Sequence, residues 1–175
     1  MAAAQKFGME AADMARKLDR FDIALLNLLQ RDNLATAEAL AESVALSPSA
    51  ITRRIRRLRE EGLIAADVSI LSPALTGNRL RAVIHVQAHD HAEEKGIARL
   101  RARLAEADEV QLLLDISGSF DLLVVAVTRD MAAFNAFADA ALAADPAVRR
   151  YETSFVKKEV KNSRAIRLDE RDVEA

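Results

Sequence analysis

Between Pro48 and Glu61 the chain sets five arginines, at positions 53, 54, 56, 57 and 59, against two glutamates, with Ser47, Ser49 and Thr52 alongside. Guanidinium forks match phosphate geometry, and short hydroxyl side chains reach phosphate oxygens and base edges. Spacing decides whether such groups can act together. Ile51, Ile55 and Leu58 recur four and three residues apart, so on a helix they share one face. Ser49, Thr52, Arg53 and Arg56 then fall on the opposite face, with Arg54, Arg57 and Arg59 on the flanks. Such a helix docks by its apolar side and offers cations and hydroxyls to a polyanion. A merely solvated basic face has the same composition, so the arginines alone do not separate the two readings. The candidate nucleic-acid contacts are Ser47, Ser49, Thr52, Arg53, Arg54, Arg56 and Arg57.

Other chemistry is sparse. With no cysteine, disulfides, thiolate catalysis and thiolate metal sites are excluded. His85, His89 and His91 lie close in sequence. His85 and His89 share a strand face, yet four residues span about 13 Å at roughly 3.3 Å each, too far for one metal ion. No metal site and no cofactor is expected. There is no Gly-rich phosphate loop and no catalytic-triad signature.

The elements that must position the arginines are legible. Asp19 can cap a helix bearing Phe21, Ile23, Ala24, Leu26 and Leu29 and ending near Gln30-Arg31. Thr36 opens a second, with Ala37, Leu40, Ala41 and Val44 on one face. Ser47 caps the third, Pro48 takes its first position and Gly62 ends it. Three short helices with Ser and Thr at the start of the last fit a helix-turn-helix, whose final helix reads the major groove with its N-terminal residues. That context favours duplex DNA over a solvated face. The domain spans 18–64, after a tail at 1–17.

Residues 65–79 read as a connection, with Val68, Ile70 and Leu71 as a short strand. Leu80–His89 alternates at strand period, and His91–Ala107 is helical with Ile97, Leu100 and Leu104 inward. Glu109–Ser117 and Phe120–Thr128 form an antiparallel hairpin about Gly118-Ser119. Asp130–Ala144 is a helix, and Val148–Val160 a final strand. The order is βαββαβ, a ferredoxin-like domain over 80–168 with a tail at 169–175. The fold class is α+β: a helix-turn-helix, winged-helix-like domain followed by this effector and oligomerisation domain.

Leu112–Leu114 and Leu122–Val127 are apolar at every position. Two helices cover only one face of such a sheet, so the other needs a second cover. A homodimer packed sheet against sheet provides it, and also supplies two recognition helices for two half-sites. The composition, 51% hydrophobic and 30% charged, suits a soluble globular chain, and a net charge of −2 means any DNA affinity is local. There is no secretory h-region and no run long enough for a membrane helix, so a cytoplasmic protein is expected.

Leu18-Asp19-Arg20-Phe21-Asp22, Leu26–Gln30 and the run from Leu46 through Arg53, Arg54, Ile55, Leu58, Glu61, Gly62 and Ile64 resemble the DNA-binding half of the leucine-responsive Lrp/AsnC family. Ile116–Leu123 and Glu159-Val160-Lys161 are similar to its effector domain. The resemblance covers about residues 18 to 168. It implies a dimer, often assembled into octamers, that binds operator DNA and senses an amino acid or related metabolite between dimers. It places the effector pocket at Gly118, Asp121 and Met131, with Ser154, Phe155 and Val156 opposite. Gly118 would let a ligand carboxylate approach backbone N–H groups, and Asp121 would pair with an ammonium. Both residues also suit an ordinary hairpin. The chain departs from the family at Ser119, where an acid is usual, at Asp115, where an apolar residue is common, and at Ala45, where glycine is frequent. Two other readings are a sirohaem-decarboxylase-like enzyme using His85, His89 and Arg81, and an interaction module without DNA. The arginine-rich helix argues against the enzyme, and a specific gel shift with the chain's own upstream region would argue against the interaction module.

Overall fold

A computed structural model of the chain describes residues 18–89 and 94–172. The expected N-terminal tail and His91 lie outside the described residues. The chain divides into two compact units. The described residues up to Ser69, together with those from Lys161 onward, form one, and Ile70–Val160 form the other.

The first unit holds helices α1 (Arg20–Leu29), α2 (Ala37–Ala41) and α3 (Pro48–Glu60). Their starts are set by side-chain caps. Asp19 accepts from the Phe21 and Asp22 amides, Thr36 from Ala39, and Ser47 from Ala50. The core is Leu25, Leu29, Leu40, Val44, Ile51 and Ile55. Leu25, absent from the stripe read off the sequence, is fully buried at its centre. Six apolar residues from Ile23 to Leu29 leave the buried face of α1 ambiguous until α3 packs on it. At Ala45 no strain is stored. No non-glycine described residue has positive φ, and the turn closes instead with the Leu46 amide donating to Val44 O at 2.6 Å.

Gly62 does need its conformation. Its φ is +71°, and Gly62 N–H donates to Arg59 O while Leu63 N–H donates to Leu58 O, a Schellman end to α3. A Cβ there would meet nothing within 4 Å. Gly62→Ala should therefore cost backbone strain alone, about 1 kcal/mol, read as a lower urea midpoint at unchanged slope.

Residues 161–172 pack back on this unit. The Asn27 amide bonds both Leu168 N and Leu168 O at 2.9 Å, and the Gln30 amide bonds Ile166 N at 2.7 Å and Ile166 O at 2.9 Å. By its contacts the chain changes unit after Val160.

The second unit opens with a short helix, α4 (Pro73–Thr76), and continues β1 (Leu80–Ala88), α5 (Glu94–Glu106), β2 (Val110–Asp115), β3 (Leu122–Thr128), α6 (Met131–Ala138) and β4 (Val148–Phe155). The four strands form one antiparallel sheet in the order β2-β3-β1-β4, the ferredoxin-like arrangement. Ala82, Ile84, Val86, Leu122, Val124 and Ala126 face the helices and pack on Leu100, Leu104, Phe134, Phe137 and Leu142.

Three boundaries differ from the sequence reading. Val68, Ile70 and Leu71 form no strand and are exposed at 76%, 93% and 62%, because no neighbouring strand lies beside them in the unit. β4 stops at Phe155, which pairs with Ala82, and a single further bond from the Val156 amide to Arg81 O follows it. The helix after β3 widens into a π turn at Asp139–Ala143, where Arg103 donates to Ala141 O at 2.8 Å. Among the described residues no helix is long and apolar enough to cross a membrane.

Candidate functional site

On α3 the buried face is Ile51, Ile55 and Leu58, and the exposed face is Ser49, Thr52, Arg53 and Arg56. The five arginines then part company. Arg53 is exposed, and Arg56, 71% exposed, lies only loosely against Glu60 at 3.7 Å. Such an exposed i,i+4 pair costs little to open. Arg59 is held by Asp67 at 2.9 Å and by Asn33.

Arg54 and Arg57, also expected among the DNA contacts, pair with acids inside the unit. Arg54 donates to Asp22 Oδ1 at 2.8 Å and lies 2.8 Å from Asp19 Oδ2. Arg57 donates to Asp22 Oδ2 at 2.5 Å. The Asp22 side chain is 1% exposed, and a buried carboxylate draws in whatever cations can reach it. The hydrogen bond to Asp22, above all, raises the Arg54 pKa from its ordinary value. Burial works against ionisation of Asp19, yet hydrogen bonds from the Asp22 and Phe21 amides and from Arg54 outweigh it and lower its carboxyl pKa. The sequence reading missed Asp22. Its only local signal is its place at the third helical position, where it completes a capping box with Asp19.

The hydroxyls also divide. Ser47 is spent as the cap and touches Ser49 Oγ at 3.2 Å; Thr52 donates back to Pro48 O at 3.0 Å while staying exposed. A surface of Ser49, Thr52, Arg53 and Arg56 remains: two cations and two hydroxyls over the first two turns of the helix.

The candidate effector residues fall at opposite ends of the sheet. Gly118, with φ +142°, sits in the β2–β3 turn, where a Cβ would meet nothing within 4 Å. Asp121 precedes β3. Its Oδ2 accepts from the Ala88 amide at 2.8 Å, just past the end of the β1–β3 ladder at Val86 and Leu122. Met131, Phe155 and Val156 lie at the other end. Phe155 pairs with Ala82, four residues along β1 from the Val86 row beside Asp121, about 13 Å at roughly 3.3 Å per residue. Phe155 points to the helix face, its ring edge-on to Phe134 at 5.0 Å between centroids, one turn along α6 from Met131. Ser154 alternates onto the uncovered face beside Val83. Within one chain, then, Gly118 and Asp121 do not meet the other four residues.

Asp121→Ala should cost about 1 kcal/mol through the unpartnered Ala88 amide, seen as a lower urea midpoint with no ligand present. An unchanged midpoint would show that the bond contributes nothing. Asp115, the departure from an apolar position, ends β2 and pairs with Arg101 of α5 at 2.7 Å. His85 lies on the uncovered face against Phe120, ring centroids 5.3 Å apart.

Comparison with known proteins bears on both units. Residues 18–65 match the family model for winged helix-turn-helix DNA-binding, and residues 81–166 match that for the Lrp/AsnC ligand binding domain. The chain is 32% identical to an HTH-type transcriptional regulator, y4tD, of Sinorhizobium fredii, over 90% of this chain and 92% of that one. It is 30% identical to the leucine-responsive regulatory protein of Salmonella typhimurium, over 85% and 90% respectively. Among solved structures, the transcriptional regulator NMB0573 of Neisseria meningitidis, in complex with L-Met, superposes with a TM-score of 0.78 at 31% identity, over 86% of this chain and 96% of that one.

Proposed function

Since this chain belongs to the Lrp/AsnC family of transcription regulators, we propose that it binds duplex operator DNA as a homodimer through Ser49, Thr52, Arg53 and Arg56, and that an amino-acid-like effector modulates the binding. The observation that carries the DNA contact is the division of α3: one face buried on its own unit, the other wet, with two cations beside two hydroxyls. In this reading Arg53 and Arg56 reach phosphates or guanine edges, and Ser49 and Thr52 sit at the helix start that enters the groove.

The uncovered face of the sheet supports the dimer. Leu112, Leu114, Leu123, Val125 and Val127 share it, and among the described residues the helices of the unit pack on the other face. A copy from a neighbouring dimer would also resolve the divided effector site. The Gly118 and Asp121 end of one copy would meet the Met131, Phe155 and Val156 end of another, so the pocket is complete only in the assembly. Asp121 Oδ1 and the open backbone at Gly118 then suit the ammonium and carboxylate of an amino acid. L-methionine, bound in the Neisseria structure, is the first compound to try. The protein is read as non-enzymatic: Arg81, which a tetrapyrrole acid group would need, is held by Glu159. A regulator acting on DNA works in the cytoplasm.

Fluorescence anisotropy on the chain's own upstream duplex, with and without L-methionine and the other amino acids, tests this. Specific binding that one compound shifts supports it. Absence of duplex binding at low salt would refute it.

A further inference from the structure

Asp22 is the one fully buried carboxylate among the described residues of the first unit, and both of its oxygens are occupied. Oδ1 takes Arg54, and Oδ2 takes Arg57 together with the Asp19 amide at 3.2 Å. Its partners lie 32 and 35 residues away on α3. Arg54 is further pinned by Asp19 and stands over the Phe21 ring, 5.6 Å from its centroid. Arg54 and Arg57 are three apart, so they leave the same side of α3 and are gathered by one anion. Two contacts on one rigid carboxylate fix the rotation of α3 about its axis. That rotation decides which residues face a groove.

We propose that Asp22 is a positioning residue for DNA recognition: it masks Arg54 and Arg57, setting the angle of α3 and restricting phosphate contact to Arg53 and Arg56. The inference rests on the reading that α3 meets DNA. Its physical consequence concerns counterions. Each cation that neutralises a phosphate contributes about 0.9 to the slope of log K against log salt. Five arginines suggest a steep, sequence-indifferent attachment. Two masked by Asp22, and Arg59 held by Asp67, leave a shallower one in which base contacts weigh more.

The experiment is the salt dependence of binding to the upstream duplex, measured on the full chain for single variants. A dimer carries every change twice, so Arg53→Gln should flatten the slope by about 1.8. Arg54→Gln and Arg57→Gln each leave the other guanidinium on Asp22 and should leave the slope where it was. Asp22→Asn should free Arg57 while Arg54 keeps Asp19, steepening the slope by about 1.8 and raising affinity for unrelated duplex. If Arg54→Gln or Arg57→Gln flattens the slope as much as Arg53→Gln does, those side chains touch phosphates and the masking is overturned while the DNA face stands. If none of the three arginine variants moves the slope, α3 is not the DNA helix and both fall. Should Asp22→Asn fail to fold, the arginine variants decide alone.

Discussion

Replacing Leu123 with aspartate should yield a monomer of 19.2 kDa, where the proposed homodimer of the parent chain has twice that mass. Leu123 lies in the middle of the uncovered sheet face, opposite Leu114 on β2 and His85 on β1. Leu112 and Leu114 remain 41% and 42% exposed in the single chain, and soluble monomers rarely leave such neighbours bare. Burying each Leu or Val against a second copy contributes about 1.5–3 kcal/mol. A two-fold interface counts every side chain twice, which offsets an association cost of about 4–15 kcal/mol. An aspartate at the centre reverses the sign. It appears twice, close to itself, and each carboxylate costs several kcal/mol to dehydrate. The helix-facing core of Ile84, Val86, Val124 and Leu104 is untouched, so the far-ultraviolet circular dichroism should stay native. Light scattering reads the mass. A variant that keeps the parent's dimeric mass would place the interface elsewhere, and a monomeric parent would remove the argument altogether.

What the sequence could and could not tell follows from the range of each interaction. The alternation of Ala82, Ile84, Val86 and Ala88 with Arg81, Val83, His85 and Gln87 is a local pattern, and the structure buries the first set as that pattern predicts. The caps at Asp19, Thr36 and Ser47 and the stop at Gly62 are local too, and stand as read. Asp22 is different. Beside Asp19 it reads as a helix-start acid. Its role comes from arginines more than thirty residues on, which nothing nearby announces. Asn27 and Gln30 carry no signal at all. Amides on a helix are usually solvated, and their partners are backbone groups some 140 residues away. Asp121 carries a signal that reads two ways, as a ligand for an ammonium and as a strand-end acceptor. The structure fills one oxygen with the Ala88 amide, which is the strand-end role. The effector residues, chosen by resemblance, look contiguous only if one forgets that β3 carries the chain from Asp121 to the far end of the sheet before Met131.

The Arg53→Ala, Arg56→Ala double variant should lose roughly a thousandfold in operator affinity. The two side chains sit one turn apart on the exposed side of α3, clear of the Asp22 cluster. Each contact of an arginine with phosphate or a guanine edge is worth about 1 kcal/mol or more. A dimer on two half-sites makes four of them, so about 4 kcal/mol disappears at once. The loss should not come from unfolding. Ile51, Ile55 and Leu58, which hold α3 in place, are unchanged, and alanine is the better helix former at exposed positions. Thermal stability should therefore stay within about 0.5 kcal/mol of the parent. Affinity for an unrelated duplex should fall in parallel if the contacts are to phosphate, and less steeply if they are to bases. Comparing the two duplexes at matched salt sorts the contacts. Operator affinity within threefold of the parent would show that DNA meets some other surface of the unit.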